Sequence, residues 1–458
     1  MGEALAGWWR RNVGGGGSAP ARVLLTLGVA LFIVWRQPEL FTAPRFWAEE
    51  GTNFFTYAHT HTWWENLFHA QFGYYTLYNS LATSLAAAVP LEHAPLVTTG
   101  LAAAVQLGVS AAVLWWTLPL LPSLWQRAVV AFGIQFLAHP RIWLTTIGVQ
   151  YFLCVLSFLV LLEERDPGQT PPLSRQLIIT GTGLTGVLSC FLLPAFFLRW
   201  RRDRSRGDLR YILILTACLA LQSTVFLAAL AGKGGDVDFR LRATDPLRLA
   251  THFIHFQFVV PFTGRVIWLG DTVGQFEDRV AGLFRPLLGS TPATHDYLVL
   301  QQLSGVAIVL FLAAGTWALR RQRDTGVIVT SFVVVAALST LLSVNASGGP
   351  RYTYAPSVMI LVLVVAMAGH TGTPALFRRA AAGMLLAAIL LCDYRATMVF
   401  AYSPDWPQWR QELQRWRSDP AYQMKIWPAP FQMTLPSPAG SKQAGERGGT
   451  PCLSTIPG

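Results

Sequence analysis

Two adjacent carboxylates, Glu49 and Glu50, stand in the stretch Pro44-Arg45-Phe46-Trp47-Ala48-Glu49-Glu50-Gly51-Thr52-Asn53-Phe54-Phe55. The chain is poor in acid, with 24 Asp and Glu against 35 Lys and Arg, so a paired acid marks a place where negative charge is concentrated. The flanking aromatics lower the local dielectric and favour a raised pKa in one of the pair. A carboxylate so placed can take a proton from a hydroxyl as general base. The pair can also hold a divalent cation such as Mg or Mn. The plainer reading is a solvated loop whose acids sit at a helix N-terminus.

The same stretch continues with Trp63, Trp64, Phe68, Phe72, Tyr74 and Tyr75. Such aromatics make an interfacial belt at a membrane surface. They can equally stack on the apolar face of a sugar. His59, His61 and His69 lack metal-ligand spacing and read as polar surface. Far along the chain, Asn345-Ala346-Ser347-Gly348-Gly349-Pro350-Arg351-Tyr352 places a tight turn before Arg351. An arginine at the head of an apolar run either snorkels to the interface or faces a polar partner, and a lipid-linked phosphate suits its fork. Asn345-Ala346-Ser347 also matches a glycosylation sequon, a weak three-residue signal. His139, Arg141 and Gln150 interrupt apolar runs and are functional candidates on that ground. Asp238, Arg240, Arg242 and Asp245 read as mutual ion pairs, and His252 with His255 lacks a third ligand.

Composition says what must position these residues. The chain is 52% hydrophobic and only 13% charged, against ~25% charged for a soluble domain, so most of it is built for lipid. Cys154, Cys190, Cys218 and Cys392 lie in or beside apolar runs and, with Cys452, form no CxxC or Cys/His pair, so they read as small hydrophobes. The formal charge of +11 comes largely from arginines beside apolar runs, which points to topology rather than nucleic acid. Arginine far outnumbers lysine, as coding bias in a GC-rich bacterium would give. No Walker loop, dinucleotide fingerprint, HExxH or GxSxG is present.

The apolar runs fall at 22–37, 76–91, 95–119, 127–143, 148–163, 177–198, 211–230, 299–319, 325–344, 357–369 and 380–394. That predicts an all-α integral membrane protein with about 11 transmembrane helices, within about 10–13. Residues 1–21 form a cytoplasmic tail ahead of an uncleaved first span, and 22–394 the membrane domain. Arg10, Arg11 and Arg22, then Arg199–Arg210, Arg320–Arg323 and Arg378–Arg379, all fall on one side when each run is counted as one crossing. By the positive-inside rule that side is the cytoplasm. The outer side then receives the loops 38–75 and 231–298, a segment 395–435 with Trp409, Leu413 and Trp416 at helical spacing, and a disordered tail 436–458.

In this setting Arg45-Phe46-Trp47-Ala48-Glu49-Glu50-Gly51, directly after the first span, resembles the acidic first outer loop of the GT-C superfamily of polytopic membrane glycosyltransferases. Thr145-Thr146-Ile147-Gly148-Val149-Gln150-Tyr151-Phe152, Leu184-Thr185-Gly186 with Leu193-Pro194, Arg351-Tyr352, and Ile426-Trp427-Pro428 add to it, over about residues 20–430. Many members carry an aspartate in the pair, where this chain has two glutamates. The resemblance implies a GT-C-like architecture, with interfacial helices in a large first extracytoplasmic loop. It also implies a transferase of the bacterial inner membrane that moves a sugar from a polyprenyl-phosphate donor to a hydroxyl on a glycan, lipid or protein, with inversion. Glu49 or Glu50 would be the base, with a divalent cation as an option. Arg45, Trp47, Tyr74, Tyr75, His139, Gln150, Arg351 and Tyr352 would bind substrate. The rivals are a flippase of lipid-linked sugars, for which internal repeats are expected, and a non-catalytic assembly protein. Convergence of Glu49, Glu50 and Arg351 on one outer site separates the enzyme from both.

Overall fold

The computed structural model describes residues 17–166, 168–232, 253–254, 257–258, 296–342, 351–391, 408–428 and 430–436. Asp238, Arg240, Arg242, Asp245, His252, His255, the sequon, Gly348-Gly349-Pro350, Cys392, Cys452 and the tail 437–458 lie outside them, as does most of the loop 231–298.

The described chain is mostly helical, as a sequence of long apolar runs requires, since only a helix satisfies its own backbone in lipid. The principal helices are α1 (Ala19–Arg36), α2 (Trp63–Phe68), α3 (Leu77–Ala87), α4 (Ala94–Trp115), α5 (Leu124–Phe136), α6 (Val149–Leu162) and α7 (Leu173–Gly183). They continue with α8 (Leu193–Asp203), α9 (Arg206–Ala231), α10 (Asp296–Ala318), α11 (Thr325–Leu341), α12 (Tyr354–Gly369), α13 (Ala375–Leu391) and α14 (Trp409–Ser418). Two short strands, β1 (Met424–Lys425) and β2 (Gln432–Met433), pair antiparallel after α14. Among the described residues α1, α4 and α9 are long and apolar enough to cross a membrane, and α6, α11 and α12 are shorter apolar helices.

One end of the bundle collects arginine. Arg202 reaches Asp324 at 3.3 Å, Arg323 reaches Asp203 at 2.9 Å, and Gln322 meets His370 at 2.8 Å. The other end carries Glu49 and Glu50. α4 starts at the carboxylate end, where Ala94 packs with Phe46 and Phe55, and ends beside the start of α1, with Trp115 Nε1 donating to Thr26 Oγ1 at 3.2 Å. α5 runs back, so that Arg36 of α1 donates to the Ala138 carbonyl at 2.7 Å. α6 returns to the arginine end, where the Glu164 N–H bonds the Thr117 carbonyl at 3.0 Å.

Two predicted spans are therefore not single crossings. The run 76–91 yields α3, whose far end lies beside the first loop, since Trp409 Nε1 donates to the Leu91 carbonyl at 2.8 Å. The run 177–198 is broken into α7, a 3₁₀ turn at Leu188–Leu192, and α8. The break has a local cause: Gly186 takes φ +79°, and Pro194 opens α8. α7 leaves the arginine end, where Arg175 forks onto Glu163 at 2.6 and 2.8 Å. α8 returns there, with Arg199 donating to the Leu161 and Glu163 carbonyls. This corrects the expected direction of the runs 95–119, 127–143 and 148–163, each of which is reversed.

The turn of the α7–α8 hairpin meets the start of α3. Leu77 N–H donates to the Leu184 carbonyl at 2.9 Å, and Gln222 of α9 bonds both the N–H and the carbonyl of Tyr75. Each short helix thus has end groups capped by the other, which removes a cost that exposed helix ends would carry in a membrane core. Cys154, Cys190 and Cys218 are buried free thiols in this region, as their apolar context predicts.

Candidate functional site

The loop after α1 enters the site as an extended segment held from the far end of the chain. Trp47 lies parallel to Trp427: the Trp427 N–H donates to the Phe46 carbonyl at 2.9 Å, and the Ala48 N–H donates to the Trp427 carbonyl. The residue pair then sits at the start of a wide, π-type turn, Glu50–Phe55. Gly51 is required there, because a Cβ would lie 2.8 Å from Phe46 Cβ and 2.9 Å from Ile426 Cδ1.

The two glutamates have different surroundings. Glu50 is only 2% exposed and its oxygens are occupied. Oε1 accepts the Thr146 N–H at 2.8 Å and the Thr146 hydroxyl, and Oε2 accepts the Trp47 N–H at 3.2 Å; the Thr98 hydroxyl lies close by and donates to the Pro95 carbonyl at 3.0 Å. Burial pushes the Glu50 carboxyl above its ordinary value, and these donors pull part of the way back. Glu50 ties the first loop to the turn between α5 and α6. On either side of that tie a non-glycine residue takes a left-handed backbone, Ala48 at φ 41° and Leu144 at φ 51°. Strain of this kind persists only where the surroundings over-determine it, and it concentrates at functional sites.

Glu49 is half-buried. Its carboxylate acts on Arg351 at the head of α12. Arg351 is half-buried, donates from Nη2 to the Tyr352 hydroxyl at 3.0 Å, and lies 4.9 Å from the Tyr352 ring centroid. Burial opposes the Arg351 charge, but Tyr151, Tyr352 and Glu49 outweigh it and hold the guanidinium above its ordinary value. Tyr151 meets Tyr352 edge to face at 6.0 Å. A guanidinium and two phenols from two distant stretches of sequence are thus in contact, with the Glu49 carboxylate from a third within electrostatic reach of the guanidinium.

The other expected site residues are placed as follows. Arg45 is 4% exposed, donates to the Lys425 carbonyl and lies 5.6 Å from the Trp427 ring centroid. Burial lowers it to about 10, against the pull of Glu412 and Tyr422, so it stays charged at neutral pH. Trp47 is buried under the same strand. Tyr74 closes a tight turn with Gln71, and Tyr75 is buried, its hydroxyl donating to the Leu67 carbonyl at 2.8 Å. Gln150 donates to the Ile147 carbonyl at 3.3 Å and packs on the Gly186 backbone. His139 is half-buried in the turn after α5, its Nδ1 accepting the Arg141 N–H at 3.2 Å. These residues build the carboxylate end, whereas Arg351 and Tyr352 bond each other with Glu49 within electrostatic reach.

The donor set does not suit a metal held by the acidic pair. Both Glu50 oxygens already accept N–H and O–H bonds. Among the described residues no three His, Cys, Asp or Glu side chains gather at any point. Residue-by-residue reading missed Thr146, Thr98, Trp427 and Glu412 as partners. Thr146, Tyr151 and Trp427 entered only through the motif resemblance. No local spacing signals Thr98 or Glu412.

Compared with family models, curated proteins and solved structures, the chain finds no match.

Proposed function

We propose that the chain is a membrane glycosyltransferase of GT-C type, working at the carboxylate end of the bundle on a polyprenyl-phosphate sugar. The observation that carries this is that Glu49 lies within electrostatic reach of the bonded Arg351–Tyr352 pair, while the Glu50 oxygens are taken up by bonds within the fold. Glu49 takes the proton from an acceptor hydroxyl. The hydroxyl oxygen attacks the anomeric carbon, the bond from that carbon to the phosphate oxygen breaks, and the electron pair leaves with the lipid phosphate. A single displacement inverts the anomeric carbon. Arg351 and the Tyr352 hydroxyl stabilise the charge gathering on the phosphate. Glu50 positions the loop and does not touch the reaction. No step passes through a metal.

The positive-inside rule assigns the arginine end to the cytoplasm of a bacterial inner membrane, and the carboxylate end to its outer face. Helices α1, α4, α5, α6, α9, α10, α11, α12 and α13 count as crossings, and the α7–α8 hairpin goes up and returns. The number is odd whether the hairpin counts as none or as two, so Arg22 and α14 fall on opposite sides.

One feature favours a lipid-linked-sugar transporter: α3 and α7 are short and meet end to end, as broken helices do around transport sites. The groups at that junction bond one another and Gln222.

The test offers purified protein in nanodiscs a panel of polyprenyl-phosphate sugars and follows donor consumption. Glu49→Gln is expected to lower turnover by about 10²–10⁴-fold with its melting temperature unchanged. Donor consumption unaffected by Glu49→Gln would sink the assignment, and no consumption of any donor by wild type would move the transporter ahead.

A further inference from the structure

We infer that the C-terminal strand is a working part of the site, and that Trp427 is a positioning residue for Glu49. The catalytic arm of this inference rests on the transferase reading above, and its geometric arm does not.

Five observations converge. The Ala48 N–H, one residue before Glu49, is bonded to the Trp427 carbonyl, and the Trp427 N–H to the Phe46 carbonyl. Ala48 is held at φ 41°, a conformation an alanine leaves when nothing retains it. Arg45 extends the same clamp, donating to the Lys425 carbonyl. The strand itself is braced from behind by buried Glu412 of α14, which accepts the Lys425 N–H at 2.6 Å and the Tyr422 hydroxyl at 3.0 Å. Ile426 and Met433 close over Gly51, and Trp409, Leu413 and Trp416 complete this small core with Phe46 and Phe55.

Glu49 is therefore fixed from two directions. Glu50 holds it from the bundle side through Thr146, and the Trp427 backbone holds it from the C-terminal side, anchored by the Trp427 indole buried in the core. Arg351 and Tyr352 belong to the head of α12, a different element from the C-terminal strand that carries Trp427. Loosening the strand should move the carboxylate relative to the guanidinium while leaving the guanidinium in place.

The test uses the full-length chain in nanodiscs, with Cys392 and Cys452 replaced by serine. Trp427→Ala and Trp427→Phe are made in this background and in a second one that also carries Glu49→Cys. Labelling of the position-49 cysteine by a charged methanethiosulfonate should speed up by about tenfold in Trp427→Ala, as local opening becomes easy. It should return to near its starting rate in Trp427→Phe. In the Glu49 background, Trp427→Ala should lower kcat by about 100-fold, the scale of a small misplacement, with KM for the donor unchanged. If Trp427→Ala fails to fold, Ile426→Ala loosens the same strand and should shift labelling and kcat in the same direction. Unchanged labelling overturns the inference, and so does a fall in kcat matched by loss of donor binding. If wild type consumes no donor, the transferase reading fails and the labelling alone decides this one.

Discussion

At the scale of single residues, two glutamates side by side differ in their hydrogen bonds and burial. Glu50 has its oxygens filled by donors from Thr146 and Trp47. Thr146→Val removes a hydroxyl donor from a buried carboxylate and is expected to cost about 2 kcal/mol, read as a lower melting temperature in detergent. Glu50 also carries a pH signature. Its folded-state pKa lies above the unfolded value because burial disfavours the anion. Its stabilising contribution is thus fully present below the ordinary glutamate pKa and is lost as pH rises through the folded value. The melting-temperature difference between wild type and Glu50→Gln, a residue that does not titrate, should be larger at acidic than at alkaline pH. A difference that grows with pH would contradict this sign. Arg351→Lys retains the charge but loses the planar fork, and turnover on a phosphate-linked donor should fall at least about tenfold.

At the scale of elements, the C-terminal hairpin and the first loop form one unit although they lie at opposite ends of the chain. Gly51→Ala tests that unit directly. The added Cβ would crowd Phe46 Cβ at 2.8 Å, an atom too near its own backbone to swing away. A destabilisation of about 1–3 kcal/mol is expected, with faster proteolysis of the C-terminal segment. A glycine-to-alanine change that left both unaltered would show that the strand docks elsewhere. α14 was legible in advance: Trp409, Leu413 and Trp416 at helical spacing predict a helix near 406–417, and all three are buried in α14. The break within 177–198 was also present in the sequence as Thr185-Gly186 and Pro194. An apolar run on both sides of a glycine still reads as one span when only hydropathy is counted.

At the scale of the whole molecule, the reversed helices make a prediction about sidedness. Counting each apolar run as one crossing puts residue 93 at the arginine end and residue 164 at the carboxylate end. The structure puts them the other way, with the turn before α4 beside the first loop and Glu164 beside Thr117. With Cys392 and Cys452 replaced by serine, His93→Cys in sealed vesicles should label from the same side as His61→Cys, and Glu164→Cys from the opposite side. Identical sidedness for residues 61 and 164 would restore the simple alternating count.

The sequence alone determined that this chain is helical and apolar enough for a bilayer, and that arginine gathers in four places. It also singled out the acidic pair and Arg351. These properties are local, since composition and a 3.6-residue period are written in consecutive residues. Tertiary structure decided which glutamate is buried, because the bonds that hold Glu50 come from Thr146, which is distant in sequence. It also decided that Arg45 and Trp47 serve the fold, since Lys425 and Trp427 come from the other end of the chain. The directions of α4, α5 and α6 were likewise hidden, because hydropathy measures whether a segment prefers lipid and carries no sign for which way it runs.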